Sequence, residues 1–185
     1  MTITIGGFVK RGLVAATMAL AFQAPGAHAA DSNDARIAQG LKITPVPLHL
    51  NGLNKNQVGL GSYIVSAIGG CNGCHTSPEY ATGGNPFAGD PTTKVVQSAY
   101  LAGGVNFGGS LCSANITPDK NGLPDGLTLT HFVAMMRSGH DFREKPKDIL
   151  QVMPWPTFRN MTNSDLTAIY EYLRAIPSNK TPKCP

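Results

Sequence analysis

The sequence predicts a mainly α-helical domain in which a few helices and long loops pack around one large buried group. Three stretches carry helical signals, and fourteen prolines with twenty-one glycines indicate many loops. Residues 76–127 contain no convincing helix. An irregular segment of that length is unusual in a compact domain. It becomes reasonable if the loops pack against a rigid apolar object.

The first 29 residues have the pattern of a secretory signal peptide. Residues 10–11 (KR) are basic, residues 12–22 are apolar, and residues 27–29 (AHA) form a small-x-small cleavage site. The apolar run is too short to cross a bilayer, and no later segment is long enough, so we expect no membrane span. The mature protein is expected to be exported and to begin near Ala30.

The charge of the mature chain argues against a polyanionic partner. The signal segment contains two of the fifteen basic residues and none of the eleven acidic ones, so the net charge falls from +4 to +2. Nucleic-acid binding depends on many basic side chains, so we expect no nucleic-acid partner. The basic run at residues 143–147 either steers a protein partner or forms a solvated loop.

The first helical stretch covers residues 54–70 and ends at a Gly-Gly pair. The second begins with Thr128 or Thr130 as the N-cap, and Gly139 suits the position just after its end. Both predictions rest on end signals together with apolar residues at helical spacing.

The third helical stretch is the clearest. Thr162 and Asp165 resemble a capping box, with Asp in place of Glu. An apolar stripe follows at Leu166, Ile169, Tyr170 and Leu173, and Pro177 closes the helix. We therefore expect one face of this helix to be buried.

These elements predict one domain at residues 54–177, preceded by an extended N-terminal arm at 30–53 and followed by a C-terminal tail at 178–185. The arm is polar and then interrupted by prolines. Within the irregular segment 76–127, two short strands are predicted around residues 98–107 and 109–117.

The sequence CNGCH at residues 71–75 carries the chemistry. A C-x-x-C pair followed directly by His is the c-type haem attachment pattern. Two intervening residues bring both thiols to the vinyl groups of one porphyrin, and the next residue places an imidazole under the iron. Cys71 and Cys74 are thus predicted to form thioethers and His75 to be an axial ligand of one covalent haem c.

Three other uses of the motif are open to such a sequence. A thioredoxin-like dithiol is expected after a strand, whereas this motif follows a helix and two glycines. A structural zinc site needs four ligands, and the sequence has no second C-x-x-C pair. A simple disulfide between Cys71 and Cys74 leaves the adjacent histidine without a role.

The motif and its surroundings resemble class I cytochromes c. The segments "GLGSYIVSAIGG", "SANITPD" and "MPWP" with the last helix are similar to haem domains of cytochrome c subunits of bacterial periplasmic dehydrogenases. The resemblance covers residues 57–177. It implies a class I fold, a periplasmic location and close crossing of the first and last helices at Gly59 or Gly61. Those subunits commonly carry several haem motifs, whereas this chain has one, which implies a monohaem relative.

The second axial ligand is predicted to be Met153. It lies in an irregular segment before Pro154, where its thioether can approach the iron without disturbing a helix. The resemblance also implies a methionine shortly before the last helix. His140, Met161 and an open coordination site are the alternatives.

Several other residues have predicted roles around the haem. Trp155 and Phe158 are expected to pack against the porphyrin, or simply to fill the core, and Asn115 to reach a propionate or cap a turn. Cys112 and Cys184 are expected to pair in an oxidising compartment. The alternative is a free Cys184 used for dimerisation or redox sensing.

A His-Met ligand set predicts an electron carrier and no enzyme activity, because no iron position remains for oxygen or peroxide. The expected partners are a dehydrogenase or reductase as donor and an oxidase or another cytochrome as acceptor. A peroxidase-like enzyme with a labile sixth ligand is one alternative. A fixed electron-transfer subunit of a dehydrogenase complex is the other.

Overall fold

The computed structural model describes residues 1–2, 28–142 and 148–184, and this part of the chain is mainly helical. The predicted signal segment, apart from its ends, and the basic run at 143–147 lie outside the described residues. No described helix combines the length and apolar character needed to cross a bilayer. The described α-helices are α1 (His28–Ile43), α2 (Lys55–Tyr63), α3 (Cys71–His75), α4 (Leu129–Ser138), α5 (Trp155–Phe158) and α6 (Asn163–Ala175).

The three predicted helices are confirmed, with caps that explain their ends. The Asn54 side chain caps α2, which continues as a π-helical turn at Ile64–Ile68. Thr128, rather than Thr130, caps α4, and Gly139 follows that helix in the left-handed region at φ 75°. Thr162 and the third residue of α6 form the predicted capping box. Short polar side chains satisfy the free amides at each of these N-termini.

The N-terminal arm differs from the prediction, because α1 occupies residues 28–43 where an extended segment was expected. Gly40 of α1 lies so close to α2 that an added Cβ would overlap the Gly59 carbonyl oxygen. The Ser62 hydroxyl donates a hydrogen bond to the Gly40 carbonyl at 2.7 Å. This contact stabilises a helix that its polar sequence alone does not predict. Residues 44–53 have no regular secondary structure.

The two predicted strands are also absent, since the described residues contain only isolated β-bridges. Residues 103–113 instead form a narrow hairpin, in which the Phe107 amide donates to the Leu111 carbonyl at 2.9 Å. Gly108 and Gly109 both have positive φ at its turn. The hairpin is too short and too rich in glycine to form a regular ladder.

The first and last predicted helices cross at Gly61. A Cβ at this position would overlap the Ala168 carbonyl oxygen of α6, whereas Gly59 faces Ile37 of α1. Glycine therefore allows the α2 backbone to touch α6 directly. The Tyr172 hydroxyl of α6 also makes a buried hydrogen bond of 2.9 Å with the Tyr100 hydroxyl from the long irregular segment.

Replacing Gly61 with Ala is expected to lower the free energy of unfolding by about 3 kcal/mol, because neither backbone can yield to the added methyl group. Urea unfolding of the mature protein measures this difference. Gly73→Ala is the matched control, since its Cβ would meet only a side-chain oxygen at 3.9 Å. The control should not lower stability, because Ala in place of an exposed helical glycine gains up to about 1 kcal/mol. Equal losses in the two variants would contradict the predicted contact.

Candidate functional site

A cavity of about 480 Å³ lies between α3, α4, α6 and the loop at residues 148–154. Its wall is mostly apolar and includes Ile64, Val65, Phe132, Met135, Ile169 and Leu173. The volume lies within the usual range for pockets that bind small molecules and cofactors. The long irregular segment contributes Phe107, Leu111 and Ile116 to this wall, so part of it does face a space suited to an apolar group.

Helix α3 places both thiols of the CNGCH motif on this cavity. Gly70, at φ 57°, turns the chain so that α3 starts at Cys71. Cys71 and Cys74 are three residues apart on one face of the helix, and both are free thiols that line the cavity. Burial raises the pKa of Cys71 to about 11, although a backbone hydrogen bond opposes the shift. At neutral pH Cys71 is therefore an uncharged thiol in an apolar wall.

The His75 ring is held in one tautomer. Its Nδ1 lies 2.8 Å from the Ala114 carbonyl oxygen. Because that oxygen can only accept, Nδ1 carries the proton and the Nε2 lone pair remains available for a metal. Burial lowers the pKa of His75, and the bond to Ala114 offsets part of this change. Burial thus favours the neutral imidazole, which is the form that binds iron.

The irregular loop that carries Met153 is fixed by hydrogen bonds from its backbone. The Trp155 amide donates to the Met153 carbonyl at 2.8 Å, and the Leu150 amide donates to the Gly139 carbonyl at 2.9 Å. Met153 lines the cavity, and so do Met135, Met136 and Met161. The cavity alone therefore does not distinguish Met153 from the other methionines.

Trp155 supports this loop from outside the described cavity wall. Its indole nitrogen donates to the Leu150 carbonyl at 3.2 Å. Its ring lies so close to Gly139 that an added Cβ would overlap it. The Arg159 guanidinium lies 5.9 Å from the ring centroid. Trp155 thus supports the loop that carries Met153, and its predicted packing against a porphyrin stays a prediction, whereas Phe158 lines the cavity.

Asn115 is likewise not among the residues that line the cavity. Its side-chain nitrogen donates to the Asn179 carbonyl at 2.8 Å and to the Thr181 hydroxyl at 3.2 Å. Its side-chain oxygen accepts from the Thr117 amide and hydroxyl. These bonds hold the C-terminal segment against Asn115, and the predicted contact of Asn115 with a propionate stays a prediction.

The two cysteines outside the CNGCH motif, Cys112 and Cys184, form a disulfide, and Cys112 also lines the cavity. His140 is not among the lining residues, although its Nδ1 is buried without a hydrogen-bond partner. Within the described ranges, no group of three or more His, Cys, Asp and Glu is arranged to hold a metal ion.

The residue that sequence analysis missed is Ala114. It contributes only a backbone carbonyl to His75, and no side-chain pattern marks such a role. The sequence analysis did single out the segment "SANITPD", which contains Ala114, and placed this residue in the second of the two predicted strands. Its distance to the histidine depends on the fold of the loops between them.

The chain is similar to cytochrome subunits of bacterial dehydrogenases. It is 31% identical over 112 residues to the cytochrome c subunit of alcohol dehydrogenase (quinone) from Gluconacetobacter polyoxogenes, which covers 60% of this chain and 20% of the relative. The corresponding subunit from Gluconobacter oxydans is 27% identical over 155 residues, covering 84% of this chain and 24% of the relative. The fructose dehydrogenase cytochrome subunit of Gluconobacter japonicus is 25% identical over 139 residues, covering 74% and 24%.

The chain thus spans between a fifth and a quarter of the length of these relatives. No family model and no solved structure matches it. The similarities support a cytochrome c-like relationship, and the names of the relatives imply a haem cofactor. The described residues fit that cofactor, because two free thiols, a neutral imidazole and a thioether all line the same apolar cavity.

Replacing Gly139 with Ala is expected to lower the free energy of unfolding by about 2 kcal/mol and to displace Trp155. Trp155 is the only tryptophan in the chain, so its fluorescence reports the displacement. Gly122→Ala is the matched control, because Gly122 has a similar φ of 74° but open space around its Cβ position. Gly122→Ala should also lower the free energy of unfolding, because of its positive φ, but it should leave the Trp155 fluorescence unchanged. Identical fluorescence in both variants would contradict the packing of Trp155 on Gly139.

Proposed function

We propose that this chain is a periplasmic electron-transfer protein with one covalently attached haem c. Cys71 and Cys74 form the thioethers, and His75 and Met153 are the axial ligands. The observation that carries the proposal is the His75 imidazole, held by Ala114 with its Nε2 free, beside two free thiols on an apolar cavity. The cytochrome subunits among the relatives support the same assignment.

Each residue contributes a distinct part of the mechanism. A bound haem supplies one-electron chemistry at its iron. Cys71 and Cys74 fix its position through two bonds on the same helix, and His75 provides a neutral nitrogen ligand whose orientation Ala114 sets. Met153 provides a soft sulfur ligand, which favours the reduced metal. With His75 and Met153 both bound to the iron, no position would remain for oxygen or peroxide, and the residues would support electron transfer alone.

The apolar wall is the protein's second means of setting the reduction potential. Buried side chains such as Phe132 and Leu173 line the cavity and exclude water from it. A poorly solvated site disfavours the additional positive charge of the oxidised metal. The wall and the sulfur ligand therefore act in the same direction and raise the potential.

The proposed donor is a dehydrogenase or reductase, and the proposed acceptor is an oxidase or another cytochrome. Electron transfer requires only a small, transient contact, typically below about 1,200 Å². Phe107, Leu111 and Val152 line the cavity and are 38%, 43% and 43% exposed, so they form an apolar rim through which such a contact is made.

A fixed subunit of a dehydrogenase complex is the second candidate function. The names of the relatives favour it, since each is the cytochrome subunit of a dehydrogenase. The two candidates share the same haem chemistry and differ in the lifetime of the complex with the donor.

Met153→Ala is expected to remove the weak far-red absorption band that marks sulfur-iron ligation in the oxidised protein, because Met153 supplies that sulfur. Met161→Ala is the matched control, since Met161 also lines the cavity but precedes the α6 cap. It should retain the band. Intact mass of the wild-type protein, made with haem maturation active, should show one haem covalently added.

The possible outcomes separate the ligand assignment from the proposed function. Loss of the band in Met161→Ala alone would overturn the role of Met153. A wild-type protein with no added haem mass would overturn the proposed function itself. A high-spin wild-type spectrum that changes on adding cyanide would support a peroxidase-like enzyme instead.

The tagged mature protein, purified from its own host at physiological salt, is expected to separate from any dehydrogenase, because a transient contact dissociates on dilution. Mass spectrometry of the purified sample measures this. A dehydrogenase recovered in equal amount with the haem protein would instead establish the fixed-subunit candidate. A low-salt purification is the matched control, since weak polar contacts persist longer under that condition.

A further inference from the structure

The segment at residues 178–184, here called the tail, lies against residues 112–117 and is attached to them at several points. The disulfide joins Cys184 to Cys112. The Asn115 side chain donates to the Asn179 carbonyl at 2.8 Å, and the Asn179 amide donates to the Thr117 hydroxyl at 3.1 Å. One disulfide and several hydrogen bonds therefore hold the six residues 112–117 against the tail along their whole length.

That segment contains Ala114, the acceptor for His75. On its other side, the Gly104 amide donates to the Ser113 carbonyl at 3.1 Å, and the Ser113 amide donates to the Val105 carbonyl at 2.9 Å. Gly103 lies so close that an added Cβ would approach the Ala114 carbonyl carbon and oxygen to 2.6 Å. The segment that contains Ala114 is thus held by residues 103–105 of the hairpin on one side and by the tail on the other.

The tail also contacts the hairpin. Pro182 lies beside Gly104, where an added Cβ would meet the proline ring at 3.1 Å. The Asn179 side chain donates to the carbonyls of Gln97 and Tyr100 at 3.1 and 3.2 Å. The tail therefore contacts both strands of the hairpin and the loop before it, including the strand that leads directly to Ala114.

We propose that the tail, closed by the Cys112–Cys184 disulfide, is a positioning element that fixes the hydrogen bond from Ala114 to His75 and so adjusts the reduction potential. The inference rests on the proposed function, because His75 must bind haem iron for the bond to have this effect. The hydrogen bond at Nδ1 increases the electron donation of Nε2 to a metal. Stronger donation favours the oxidised metal, so a looser Ala114 carbonyl is expected to raise the potential.

The disulfide is suited to this task because the hydrogen bonds between the tail and residues 112–117 can open and be replaced by hydrogen bonds to water. A hydrogen bond between protein groups replaces bonds that each group makes with solvent, so its net effect is modest. The disulfide joins residues 72 positions apart and keeps the tail beside the hairpin when individual hydrogen bonds open. Without it, the tail is expected to separate intermittently and Ala114 to become more mobile.

The test compares the haem-loaded wild-type protein with the double variant Cys112→Ser/Cys184→Ser. Both cysteines are replaced because a single change at Cys184 would leave a third thiol beside Cys71 and Cys74 in the cavity wall. The double variant should favour the reduced state at least threefold more, a rise of about 28 mV at 59 mV per tenfold for one electron. Exchange of the His75 Nδ1 proton with solvent, followed by NMR, should be at least tenfold faster.

A second pair of variants keeps the disulfide intact. Asn115→Ala removes hydrogen bonds that join the tail to residues 112–117. Like the double variant, it should raise the reduction potential and speed the exchange of the His75 Nδ1 proton. Lys183→Ala is the matched control, because this exposed residue lies in the same tail. It should leave the potential and the proton exchange unchanged.

The outcomes are separable from those for the proposed function. If the wild-type protein carries covalent haem but the double variant keeps the same potential and the same proton exchange, the positioning inference is wrong and the electron-transfer function stands. If the double variant does not fold, unchanged readouts in Asn115→Ala overturn the inference. An equal response in Lys183→Ala would also overturn it, because the loss of an exposed charge, and not the loss of contacts between the tail and residues 112–117, would then explain the result.

Discussion

The hydrogen bond between His75 Nδ1 and the Ala114 carbonyl is the interaction on which the candidate site depends. It joins the short helix that carries the thiols to a loop almost forty residues later. The backbone of His75 is held from the same side, because its carbonyl accepts from the Gly103 amide at 2.7 Å. Both the position and the tautomer of the ring are therefore set by loops that contain little regular structure.

The long irregular segment is stabilised by several separate contacts instead of by a sheet. Leu101 and Tyr100 are fully buried in the core, and the Thr76 hydroxyl accepts from the Leu101 amide at 3.0 Å. A disulfide and the narrow hairpin hold the remainder. The segment is thus held by its contacts with the core and by cross-links, and its residues 107–116 border the apolar cavity.

Features that depend on neighbouring residues could be predicted from the sequence. The capping box at Thr162 and the glycine end of α4 are local, and both are as expected. Features that depend on tertiary packing could not. Helix α1 is stabilised by its contact with α2, and Trp155 lies behind the Met153 loop because Gly139 leaves room for its ring. The role of Ala114 involves only its backbone, so its side chain gave no signal.

The two glycines of α2 have different neighbours, and this limits how the molecule can meet another protein. Gly59 faces α1 and Gly61 faces α6, so the helix is enclosed on two sides by its own chain. The buried stretch of α2 from Val58 to Ser62 is therefore closed to a second protein. An association with another protein would instead use the exposed start of α2 or surfaces elsewhere on the molecule.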